Sequence, residues 1–152
     1  MSAAATPATT QLFREGTQYW QELTDECRRQ TDSINACLRQ HRLATDDLVK
    51  WNPGEEIVMA APGYPSTRVR ASIDFRSWGP VISGTITGNQ DDGLNFAPEG
   101  FEIPIARDLD GAIVAVLGEG RSFSPRELAM YLTQSFRRCF PGISLPCGIP
   151  DV

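Results

Sequence analysis

From Gln11 onward the apolar residues recur every three or four positions: Leu12, Tyr19, Trp20, Leu23, Cys27, Ile34, Cys37 and Leu38, with Gln30 and His41 in register with them. This is the stripe of an amphipathic helix with one buried face. Unbroken from Gln11 to Arg42 it would be roughly 48 Å long, more than a domain of this size usually spans. The pattern therefore predicts one long helix or a helix pair, the pair parting at Thr31-Asp32-Ser33.

After Asp46 the period shortens to two. Val69, Ala71, Ile73 and Phe75 alternate with Arg68, Arg70, Ser72, Asp74 and Arg76, the signature of a strand with one wet face. A second strand, Val81 to Thr87, follows Ser77-Trp78-Gly79-Pro80. A two-residue turn at Trp78-Gly79 would set Phe75 opposite Ile82, Ile73 opposite Gly84 and Ala71 opposite Ile86, with the apolar residues on one face. A second hairpin is expected from Phe101 to Gly118, turning at Asp108-Leu109-Asp110-Gly111. Its outgoing strand, Ala112 to Leu117, is apolar on both faces, which calls for cover on both sides, by helices or by a second copy of the chain. Short strands around Leu48 to Trp51 and Ile57 to Ala60 complete the sheet, crowded by Pro53, Pro62 and Pro65.

Ser124-Pro125-Arg126-Glu127 has the form of a helix start, an N-cap serine with proline at the first helical position and glutamate three after the cap. Leu128, Tyr131, Leu132 and Phe136 continue it at helical spacing, to a stop at Pro141-Gly142, and the remaining tail is expected to lie extended over the body. Met1 to Thr10 is small and polar and reads as a disordered tail. The fold class is thus α+β, a single domain over residues 11–152: an N-terminal long helix or helix pair, an antiparallel sheet of four to six strands and a C-terminal helix.

The 152 residues carry 14 basic and 19 acidic side chains, a formal charge of −5, and Lys50 is the only lysine. An acidic chain with no Lys/Arg cluster argues against nucleic-acid binding, whose affinity comes from clustered cations. No apolar run approaches the roughly 18 to 20 residues that cross a bilayer, and the start has neither basic patch nor apolar core, so no membrane association and a cytoplasmic location are expected.

Catalytic patterns are scarce. Cys27, Cys37, Cys139 and Cys147 form no Cys-x-x-Cys pair, and thiols are the default. Cys37 and His41, four apart on one helix face, would permit a thiolate–imidazole pair or two zinc ligands, but a packed cysteine beside a half-exposed histidine explains them as well. Gly118-Glu119-Gly120-Arg121-Ser122 runs toward a helix start, yet lacks a third glycine, and Glu119 would repel phosphate. Asp91, Asp92, Asn95 and Glu99 make an acidic loop that suits solvent better than a cation. No catalytic residue, metal or cofactor is assigned.

What remains is surface. Arg68, Arg70 and Arg76, with Trp78 at the turn and Tyr64 before the strand, compose an arginine and aromatic patch of the kind enriched at binding hot spots. The function expected is a non-enzymatic protein-interaction domain of adaptor, chaperone or immunity type, with another protein as partner and a homodimer if the helices cover only one sheet face. The alternative is a small-molecule-binding domain with a pocket between the sheet and the C-terminal helix, and behind it an enzyme using Cys37 and His41.

Overall fold

The computed structural model describes residues 7–41, 49–52, 54–61, 66–89, 95–118, 120–139 and 145. A single α-helix, α1, runs from Pro7 to Gln40. Seven strands follow: β1 (Lys50–Asn52), β2 (Ile57–Ala61), β3 (Ser66–Arg76), β4 (Gly79–Asn89), β5 (Asn95–Arg107), β6 (Ile113–Leu117) and β7 (Arg121–Phe123). They form one antiparallel sheet in chain order, every strand bonded to its neighbours in sequence. A short helix α2 (Pro125–Thr133) and a 3-10 turn, Gln134–Cys139, close the described chain. The α+β class holds, with seven strands in place of four to six, because both short segments beside Pro53 pair and Arg121–Phe123 adds a final edge. Both edge strands are only three residues long, which leaves little unpaired backbone to recruit another sheet.

The helix does not part at Thr31-Asp32-Ser33. Gly16, Tyr19, Leu23, Cys27, Thr31, Ile34 and Leu38 are all buried, at steps of three or four, so the stripe continues through Thr31 while Asp32 and Ser33 face solvent. The Thr31 hydroxyl donates to the Cys27 carbonyl at 2.9 Å, so burying it leaves nothing unpaired. At about 50 Å the helix is as long as a diagonal across the sheet requires. Near its start, Phe13 meets Phe75 edge to face at 5.6 Å. One turn on, a Cβ on Gly16 would lie 2.6 Å from Pro80 Cγ, so only glycine lets helix and hairpin close to this distance. At the far end, Asn35 grips β1 by both backbone groups of Val49: its Nδ2 donates to the Val49 carbonyl at 2.9 Å and its Oδ1 accepts from the Val49 N–H at 3.0 Å.

The β3–β4 hairpin has the predicted faces but a different register. Arg76 pairs with Gly79, Phe75 with Pro80, Ile73 with Ile82, Ala71 with Gly84 and Val69 with Ile86, so the turn is Ser77-Trp78 and Gly79 opens β4 at φ +145°. A slip of two residues keeps every side chain on its own face, and the alternation is satisfied by both registers. A positive φ at Gly79 is cheap for glycine and closes the shorter turn. Between β4 and β5 the register shifts at Ile86/Gly88.

The core lies between one sheet face and the two helices. Ile57, Met59, Val69, Ala71, Ile82, Ile103, Ile105, Ala115 and Phe123 meet Tyr19, Leu23, Cys27, Ile34, Leu38, Leu128, Leu132 and Phe136. α2 begins as expected: Ser124 Oγ accepts from Glu127 N–H at 3.2 Å, and Glu127 Oε1 accepts from Ser124 N–H at 3.0 Å. It ends before Pro141, tightening to the 3-10 turn after Thr133, whose buried hydroxyl donates back to the Ala129 carbonyl at 2.9 Å and the Met130 carbonyl at 3.2 Å.

Two acidic protons are buried in this core. Tyr19 is 2% exposed and donates its phenol proton to the Phe123 carbonyl at 2.9 Å, and Cys27 is fully enclosed. Burial pushes both groups well above their ordinary values of 10.0 and 9.0. In the unfolded chain they ionise at those ordinary values, so folding stability is fully present below pH 9 and declines as pH rises through 9 and 10. Urea titrations at stepped pH should show this decline, and Tyr19→Phe with Cys27→Ala should flatten it; an unchanged slope in the double variant would refute the assignment.

Candidate protein-binding end of the sheet

In an antiparallel meander alternate turns lie at the same end, which places the β3–β4 turn at Trp78 beside the β5–β6 turn at Leu109. The two turns are separated by two strand spacings, roughly 10 Å. Among the described residues the exposed large hydrophobic side chains are Phe75 at 48%, Trp78 at 59% and Leu109 at 107%, and all stand at this end. Large apolar groups gathered on a surface otherwise dominated by polar residues mark an interaction site.

The local geometry is firm. In the β5–β6 turn Asp108 Oδ1 accepts from the Asp110 and Ala112 amides, both at 2.9 Å, and Gly111 takes φ +83°, so Leu109 is carried outward on an ordered turn. In the β3–β4 hairpin, Arg76 makes a two-pronged contact to Glu102, Nη2 to Oε1 at 2.6 Å and Nη1 to Oε2 at 3.2 Å, while its guanidinium lies 5.9 Å from the Trp78 ring centre. The hydrogen bonds with Glu102 raise the Arg76 pKa, and the same contact holds Glu102 below the usual carboxylate range. Asp74 accepts from Ser83 Oγ at 3.0 Å beside them. The diagonal from Arg76 on β3 to Glu102 on β5 crosses β4 at Val81, which is fully buried although it lies on the face away from the helices. The ion pair roofs it.

The predicted arginine patch is therefore divided. Arg76 and Trp78 come together. Arg70 lies further down the same face with Nε 2.6 Å from Glu56 Oε2. Arg68 is exposed, has no carboxylate partner among the described residues, and lies eight residues from Arg76, about 26 Å along an extended strand. Tyr64 lies outside the described residues. Phe75 and Leu109 belong to the cluster and were not among the predicted site residues. Leu109 had a legible signal, an aliphatic side chain between two aspartates at a turn tip, where polar residues are the rule.

Among the described residues the other candidate chemistry is placed as follows. His41 Nδ1 donates to the Cys37 backbone carbonyl at 2.9 Å, engaging the ring as a helix terminator. No group of three or more His, Cys, Asp or Glu among the described residues is placed to hold a metal ion. The first amides of α2 are engaged by its own capping box, and the Asp91 and Asp92 loop lies outside the described residues. A cleft of about 220 Å³ between α1 and α2, lined by Glu22, Asp25, Glu26, Arg29, Ser124, Pro125 and Arg126, is smaller than the roughly 300 Å³ at which ligand pockets begin. The predicted position for a pocket, between sheet and C-terminal helix, holds the fully buried Leu128, Leu132 and Phe136. No described helix is long and apolar enough to cross a membrane. No protein-family model matches the chain, and no curated protein or solved structure shows significant similarity to it.

Proposed function

We propose that this chain is a non-enzymatic protein-interaction domain, of the adaptor, chaperone or immunity type, that engages another protein through the Trp78 end of its sheet. The observation that carries this reading is the convergence of Phe75, Trp78 and Leu109 at one end, with Arg76 beside the indole and fixed by Glu102. Tryptophan and arginine side chains held in place before binding are the composition of interface hot spots, since little conformational freedom is lost on docking. The proposed setting is the cytoplasm, where the buried Cys27 thiol stays reduced.

Trp78→Ala should keep the far-UV spectrum and melting temperature of the parent, and Arg76→Glu the far-UV spectrum with a lowered melting temperature, while each abolishes co-purification of the bound protein. Retention of that protein by both variants would remove this end of the sheet from consideration. A homodimer is a second reading, carried by Val114 and Val116, which lie half-buried on the sheet face opposite the helices. Sedimentation as a monomer at high concentration would overturn it.

A further inference from the structure

The Trp78 end of the sheet has a charge as well as a shape. Arg76 is matched by Glu102, and Arg107 at the end of β5 pairs with Glu15 on α1. Those two pairs balance. Beyond them, among the described residues, stand Asp108 and Asp110, with Asp74 sharing Arg76 at 3.9 Å, against one further cation on the adjoining turn of α1, Arg14. The aromatic anchors are thus set in a rim with surplus negative charge, on a chain whose total is −5. A like-charged partner would have to bring its carboxylates against Asp108 and Asp110, whereas a cationic one would neutralise them.

We propose that the occupant of this end is a basic, amphipathic polypeptide segment, whose apolar side chains pack on Phe75, Trp78 and Leu109 and whose Lys or Arg side chains meet Asp108 and Asp110. This rests on the protein-interaction reading and names the chemistry of the partner. The same charge disfavours an anionic lipid surface, because interfacial aromatic side chains bind such membranes with the help of neighbouring cations, and here the surplus is acidic. The two turns, about 10 Å apart, match anchors at i and i+7 on one face of a helix, at about 1.5 Å per residue.

The probes are two labelled 18-residue amphipathic peptides of equal apolar content, one of Lys and Leu and one of Glu and Leu, followed by fluorescence anisotropy against the whole chain. The Lys peptide should bind at least tenfold more tightly at low salt. Asp108→Asn with Asp110→Asn should weaken it about tenfold, a loss that shrinks in 0.5 M salt as surface charges are screened. Trp78→Ala should weaken it at all salt concentrations, whereas Glu22→Gln with Asp25→Asn, acidic residues in the α1–α2 cleft, should have no effect. Equal weakening by the cleft variant would show a general response to net charge and overturn the proposal. If Trp78→Ala weakens both peptides equally and the aspartate variant weakens neither, the basic partner falls while the docking end stands. If Trp78→Ala changes nothing, both fall. Neutral phosphatidylcholine vesicles that sediment the parent but not Trp78→Ala, with no preference between peptides, would replace the polypeptide by a membrane and overturn it too.

Discussion

Replacing Gly84 with alanine is expected to destabilise the protein by about 3 kcal/mol, a fall of roughly 6 to 12 °C in melting temperature for a chain of this size. Gly84 sits on the core face of β4, opposite Ala71 on β3 and Phe101 on β5. A Cβ there would lie 1.9 Å from the Arg70 carbonyl oxygen, 2.7 Å from Phe101 Cζ and 2.9 Å from Ala71 Cα. Two of these obstacles are backbone and cannot rotate away. Strand propensity favours alanine slightly over glycine, so the sign of the change separates packing from propensity. The companion variant Gly84→Ala with Phe101→Leu removes only the ring contact. It should recover little, and thermal denaturation followed by circular dichroism would show it. A loss below about 1 kcal/mol in the single variant would mean that β3 and β4 can separate without cost.

Asn35→Leu should cost about 3 kcal/mol while preserving volume. Val49 is 1% exposed, and with leucine at position 35 both its N–H and its carbonyl lose their partners inside the protein. Each such group carries a desolvation penalty of about 1 to 3 kcal/mol. Asn35→Asp is the informative relative. Its carboxylate can still accept from the Val49 N–H but cannot donate to the Val49 carbonyl, and it places a charge in the core. Burial favours the protonated form, so this variant should be weakest at neutral pH and recover as pH falls through the raised carboxyl pKa. Hydrogen exchange should localise the damage to β1 and β2. Uniform loss of protection across β4 and β5 would argue that the contact is global and not a local clamp.

Much of this architecture is legible in the order of residues, for a reason visible in β3. Alternation specifies a face, and the face decides what is buried, so Val69, Ala71 and Ile82 are placed in the core by pattern alone. Register is another matter. Registers two residues apart bury the same side chains, and the choice fell to the backbone of Gly79. In α1, Thr31 is polar and reads as an interruption, yet its hydroxyl is answered by a carbonyl one turn earlier and it packs like an apolar residue. Asn35 gives no signal because its partner, Val49, lies 14 residues further along the chain. The Trp78 end of the sheet shows the same limit. Arg76 and Trp78 are two residues apart and meet at the turn, but Arg68 shares only the strand of Arg76, and Leu109 comes near them only because two turns fall at one end of the sheet.

The meander also orders events during synthesis. Each strand finds its partner in the segment just made, so the sheet grows by short loop closures, which are quick. The N-terminal part of the long helix waits longer. Its apolar stripe emerges first, and the Phe123 carbonyl that receives the Tyr19 phenol is 104 residues away. At roughly 5 to 20 residues per second the ribosome takes about 5 to 20 s to cover that interval. For those seconds the Tyr19 end of the stripe lacks its cover from β7 and α2, while Asn35 can already clamp Val49. Synonymous changes that slow translation between codons 40 and 123 should lengthen that exposure and lower soluble yield without altering a single residue.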